Sequence, residues 1–101
     1  EANSRKASPN DSKAQNYLNQ VRARAFGNNS RASSSTGVTL TKEIWNERRL
    51  ELAMEGHRFF DLVRTGEAAA TIPGFIAGKH EVFPIPQTEI DISGLTQNAG
   101  Y

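Results

Sequence analysis

Glu47-Arg48-Arg49-Leu50-Glu51-Leu52-Ala53-Met54-Glu55-Gly56-His57-Arg58-Phe59-Phe60-Asp61-Leu62 is the stretch that decides the fold. It lies inside a proline-free run from Lys42 to Thr65, closed by Gly66. Ile44, Leu52, Phe59 and Leu62 define a central apolar line, flanked on one side by Trp45 and Val63. Thr41 is placed to cap the start, and Glu43 to meet the positive first turn. The spacing predicts one long helix over about 42–65. On such a helix Arg48 and Glu55 share a side with Leu52 and Phe59. Arg48 stands one turn before Glu51, Glu55 one turn before Arg58, and Arg58 one turn before Asp61. Neighbouring turns can then exchange charge-assisted hydrogen bonds. Gly56 in mid-helix costs about 1 kcal/mol relative to alanine, a cost more readily carried where another backbone packs close.

Upstream, Ser8-Pro9-Asn10-Asp11 reads as a helix start: Ser8 as cap, Pro9 at the first helical position, Asp11 in the positive first turn. Ala14, Tyr17, Leu18, Val21 and Ala25 then make one narrow apolar stripe, with Asn16, Gln20, Arg22 and Arg24 elsewhere on the wheel, and Gly27 is the natural stop. The first helix is expected over about 9–26. The stretch 27–40 opens on small polar residues without apolar period and reads as a mobile surface loop. Downstream, 67–101 reads as an irregular tail. Ile72-Pro73-Gly74 cannot be regular helix, Pro84 and Pro86 force 81–86 to be extended, and 87–90 can form a single turn. The expected fold class is mainly α: a helical pair of the αα-hairpin, tetratricopeptide-like kind, followed by a long tail.

With 101 residues the chain makes at most one ordinary domain. Its hydrophobic share of 37% and mean hydropathy of -0.58 are low for a free-standing globule, so part of the core-forming surface is expected from sequence outside this chain. The net charge of +1 selects neither nucleic acid nor anionic lipid. Residues 1–31 carry +4 and residues 67–101 carry -3, too diffuse for a binding patch. The absence of cysteine excludes disulfides, thiolate metal sites and cysteine nucleophiles. No apolar run spans a membrane, and export or anchoring signals are expected upstream.

Glu51 and Glu55 are the candidate paired carboxylates of an acid/base site, as in a glycoside hydrolase. An arginine within one turn of each favours the ionised form and opposes a raised pKa. On one helix they would also not straddle a sugar ring. An ion-pair framework is the better reading. His57 and His80 are the only histidines; Glu55 and His57 diverge on a helix, so no metal pair forms. No nucleophile elbow and no phosphate-cradling glycine loop is present. Trp45 is a candidate sugar-stacking platform, but its place beside the apolar stripe favours a core or helix-interface role. Phe75, Phe83 and Tyr101 read as tail anchors. No catalytic residue, metal or cofactor is implied.

Three blocks resemble the SusD/RagB family. Tyr17-Leu18-Asn19-Gln20-Val21-Arg22-Ala23-Arg24-Ala25 is similar to its "LNxVRxRA" helix. Ile44 to Gly66 resembles its "IxxERRxELxxEGxRxxDLxRxG" signature. Pro84-Ile85-Pro86-Gln87-Thr88-Glu89-Ile90, with Leu95 to Tyr101, resembles its "PIPxxEI...LxQNPGY" carboxy terminus. Ala99 replaces the usual proline, and Ser93-Gly94 stands where an asparagine-containing turn is common. The resemblance implies that 1–101 is the carboxy-terminal part of a larger, mostly helical outer-membrane lipoprotein. Such a protein captures glycans or other nutrients without chemistry, as a lid on a SusC-like TonB-dependent transporter. The matched Glu47, Arg48, Glu51, Glu55, Gly56, Arg58, Asp61 and Arg64 are then a signature of architecture, and no ligand-binding residue carries over. The rival is a stand-alone helical protein-protein interaction module using the stripe around Leu52 and Phe59.

Overall fold

The computed structural model describes all residues, 1–101. The chain is mainly helical: α1 (Ala2–Arg5), α2 (Asp11–Phe26), α3 (Gly37–Glu51), α4 (Arg58–Thr65), α5 (Ala68–Thr71) and α6 (Gln87–Ser93), with no strand. None is long and apolar enough to cross a membrane. Two compact units divide it, Glu1–Glu55 and Gly56–Tyr101.

In the first unit, α2 begins at Asp11 because Asn10 is the side chain that caps it, its Oδ1 accepting the Lys13 N–H at 2.9 Å. Ser8 and Pro9, expected to start the helix, lie before it. Gly27, in the left-handed region at φ 69°, ends it. The expected mobile loop is instead a strap that runs back along α2. The Asn19 amide reads both backbone groups of Ser33, accepting its N–H at 2.7 Å and donating to its carbonyl at 3.0 Å. Gln15 donates to the Ser35 carbonyl at 2.6 Å, and Arg22 to the Arg31 carbonyl at 3.3 Å. The strap therefore reaches the beginning of α2 just where α3 starts, and Asp11 Oδ2 accepts the Gly37 N–H at 2.8 Å.

Consequently α2 and α3 run in the same direction. Asp11 meets Gly37 at their starts, while Arg22 meets Glu47 and Arg24 meets Glu51 towards their ends. A tight hairpin turn gives antiparallel helices; the strap replaces it. Ala14 and Leu18 of α2 and Leu40 of α3 form the buried core, with Ile44 against it. Leu40 is fully buried, which stabilises the unit by about 2 kcal/mol. The Trp45 indole donates to Glu1 Oε1 at 3.2 Å and takes the Arg5 guanidinium over its ring at 5.6 Å, so it fastens α1 to α3. Thr41 lies inside α3 and its hydroxyl donates back to the Gly37 carbonyl, so it does not cap the helix.

The predicted single helix over 42–65 is interrupted. α3 ends at Glu51, a turn occupies 52–57, and α4 starts at Arg58. Met54 and Gly56 both have positive φ, 69° and 77°, and a left-handed residue cannot continue a right-handed helix. The expected close packing at Gly56 is also absent, since a Cβ built there meets nothing within 4 Å. Its backbone geometry is what calls for glycine.

In the second unit, α4 buries Leu62 and α5 buries Ala68. Gly66, at φ 77°, ends α4. The chain from 94 to 101 folds back onto 82–85. The Gln97 amide accepts the Ile85 N–H and donates to the Ile85 carbonyl, both at 2.8 Å, as a neighbouring strand would. Asn98 donates to the Phe83 carbonyl at 2.6 Å and the Tyr101 hydroxyl to the Val82 carbonyl at 3.0 Å. A segment that its prolines keep out of sheet and helix thus has its backbone groups met by side chains.

Candidate functional site

The charged signature finds partners on α2. Arg22 is the hub: its Nε donates to Glu47 Oε2 at 2.8 Å and its Nη1 to Glu43 Oε2 at 3.1 Å. All three side chains are largely covered, with 17%, 12% and 28% of their surface exposed. The Ser35 hydroxyl of the strap donates to the other Glu43 oxygen. The hydroxyls of Ser35, then Ser33, hold the Glu43 carboxyl below its ordinary value; Arg22 adds to this, and burial opposes it. One guanidinium thereby ties α2, α3 and the strap together. Arg24 pairs with Glu51 nearer the surface.

The eight residues singled out from the sequence are spread over both units. Glu47 is buried on Arg22, and Glu51 is the last residue of α3, on Arg24. Arg48 is half-buried beside the groove described below, whereas Glu55 is exposed in the turn after the helix. Because α3 has ended, Glu51 and Glu55 no longer occupy adjacent turns of one helix, and Arg48 and Glu55 do not share a helix face. Arg58 opens α4 as an exposed residue, and Asp61 pairs with Arg64 at 3.0 Å. Arg22, Glu43 and Ser35 were not among the expected residues. Arg22 was visible in the "LNxVRxRA" block, but a partner 25 positions away leaves no trace in helical spacing.

A groove of about 370 Å³ runs between α2 and α3, with Ala14, Leu18, Val21, Ile44 and Leu52 among its lining and Arg24, Arg48 and Glu51 beside them. In the second unit Phe59, Phe75, His80, Phe83 and Tyr101 surround a hollow of about 270 Å³. No group of three or more His, Cys, Asp or Glu side chains is arranged to hold a metal ion.

The family model described as the SusD family matches residues 1–81. No curated protein and no solved structure matches the chain. The match spans α1 to α5, including the Arg22 hub and the interrupted signature helix. The chain belongs to the SusD/RagB family.

Proposed function

We propose that this chain is a framework part of a non-catalytic nutrient-binding protein, acting on glycans together with a SusC-like TonB-dependent transporter at the outer-membrane surface. Family membership supports the binding role and the kind of partner. The framework role rests on one observation: Glu47 and Glu51 are engaged by Arg22 and Arg24. Carboxylates whose oxygens are taken up in charge-assisted hydrogen bonds to guanidinium groups are good fasteners between helices. Glu47, Arg48, Glu51, Glu55, Gly56, Arg58, Asp61 and Arg64 are in this reading architectural, and binding of the nutrient falls to other surfaces.

The test is native purification of the membrane-anchored protein that carries this chain, followed by partner identification and glycan titration. A TonB-dependent barrel should co-purify, glycan should bind without turnover, and Glu47→Gln should lower stability while leaving glycan affinity of the folded protein unchanged. Isolation without a barrel and without glycan affinity, or turnover abolished by Glu51→Gln, overturns the reading. The apolar groove between α2 and α3 favours a second reading, an interaction module that seats a partner helix. Saturable binding of an amphipathic helix, lost on Val21→Glu with the fold retained, would establish it.

A further inference from the structure

The hollow of the second unit is lined mainly by aromatic rings. Its walls are the rings of Phe59, Phe75, Phe83 and Tyr101, with the imidazole of His80. Phe75 lies 6.3 Å from Phe59 at 56° and 5.7 Å from His80 at 80°, so these rings are tilted against one another rather than stacked. No formally charged side chain lines it when His80 is neutral. The Tyr101 hydroxyl is already committed to the Val82 carbonyl. His80 Nδ1 accepts the Ile76 N–H at 3.0 Å, which places the proton of the neutral ring on Nε2. That Nε2–H has no protein partner, and it is the one side-chain donor of the lining left without one.

We propose that this hollow is a binding site for a small neutral aromatic ring carrying an oxygen acceptor, such as a phenol. The ring is received edge-to-face by Phe59 and Phe75, and its oxygen accepts from His80 Nε2. The volume suffices, since an apolar cavity of about 150 Å³ already holds benzene. A cation would lack a counter-charge in the lining, and the Lys79 ammonium lies 4.7 Å from the centroid of the Tyr101 ring. A sugar would bring several hydroxyls to a lining with one free side-chain donor, so most of them would find no protein partner in it. A plain hydrocarbon would leave the Nε2–H unpaired. The site does not depend on which nutrient the protein binds, so its failure leaves the proposed function untouched.

The probe is p-cresol, titrated into the full chain and followed by amide and ring-proton NMR. Saturable shifts confined to the residues around Phe75 and His80 are expected, with a Kd on the order of 1 mM. Toluene, which lacks the acceptor, should bind about 2- to 10-fold more weakly. In His80→Phe that difference should vanish, and Ile72→Trp should fill the hollow and abolish binding. The wild-type ratio of p-cresol to toluene decides the matter even if neither variant folds. No saturable shift with p-cresol, equal affinity for toluene, or equal shifts with methyl β-glucopyranoside overturns the proposal.

Discussion

Replacing Arg22 by alanine should be the most damaging single change to the first unit. It removes the cation that two covered carboxylates share and frees the strap at Arg31. Breaking a fully buried pair costs about 3–5 kcal/mol because the remaining charge is left without compensation. With 12% of the Glu47 side chain and 28% of Glu43 still exposed, the cost lies between that range and the value of a surface pair, about 2 kcal/mol. For a urea slope of about 1.5 kcal/mol/M, the midpoint falls by about 1.3 M. Trp45 is the only tryptophan and sits on α3, so its fluorescence reports this unit without interference from the other. Pairing Arg22→Met with Glu47→Leu should recover only the part of the loss that comes from Glu47, since apolar replacement of a covered ion pair is often neutral while Glu43 stays without its cation. A midpoint for Arg22→Ala within about 0.3 M of wild type would refute the hub.

Three further outcomes follow from the same geometry. Glu43 has a lowered pKa, so its contribution is complete above the unfolded carboxylate value of 4.5 and is lost as pH falls through the lower folded value; Ser35→Ala should flatten that acid dependence of the Trp45 transition. Gly56→Ala should cost about 1 kcal/mol from backbone strain alone, and Gly56→Asn less, in urea melts; a neutral alanine would show that the positive φ is not required. Gln97→Ala should speed amide exchange at Ile85 by about 10-fold while Leu40 and Leu18 keep their protection; unchanged exchange at Ile85 would remove the clamp.

Local signals were legible and long-range ones were not. The stripe Ala14, Tyr17, Leu18, Val21 and the stop at Gly27 place α2, because both act within one or two turns. The absence of helix over 83–86 follows from Pro84 and Pro86 for the same reason, whereas Glu81 and Val82, expected to be extended as well, lie in a turn and a bend. The strap escaped notice because serines and asparagines without apolar period are the usual composition of a mobile loop. What orders it is side-chain amides of α2 at distant positions. The interruption at 52–57 escaped because Met54 in the left-handed region has no sequence signature, while Gly56 was open to a packing interpretation. At the site, charge spacing pointed to Glu51 and the family block to Glu47, whereas the pairing of both with arginines of α2 joins positions 25 and 27 residues apart and leaves no local signal.

The direction of the strap also bears on how the first unit assembles. From Arg31 to Gly37 its anchors close spans of 9, 14, 20 and then 26 residues, each resting on the one before. Every new closure enlarges an existing loop only slightly, and loop-closure entropy grows slowly with length. A preformed α2 can therefore guide the chain backwards like a zip fastener and deliver α3 alongside itself without a search over the whole 26-residue span. Substitutions at Asn19, in the middle of that sequence, should accordingly slow folding more than they speed unfolding.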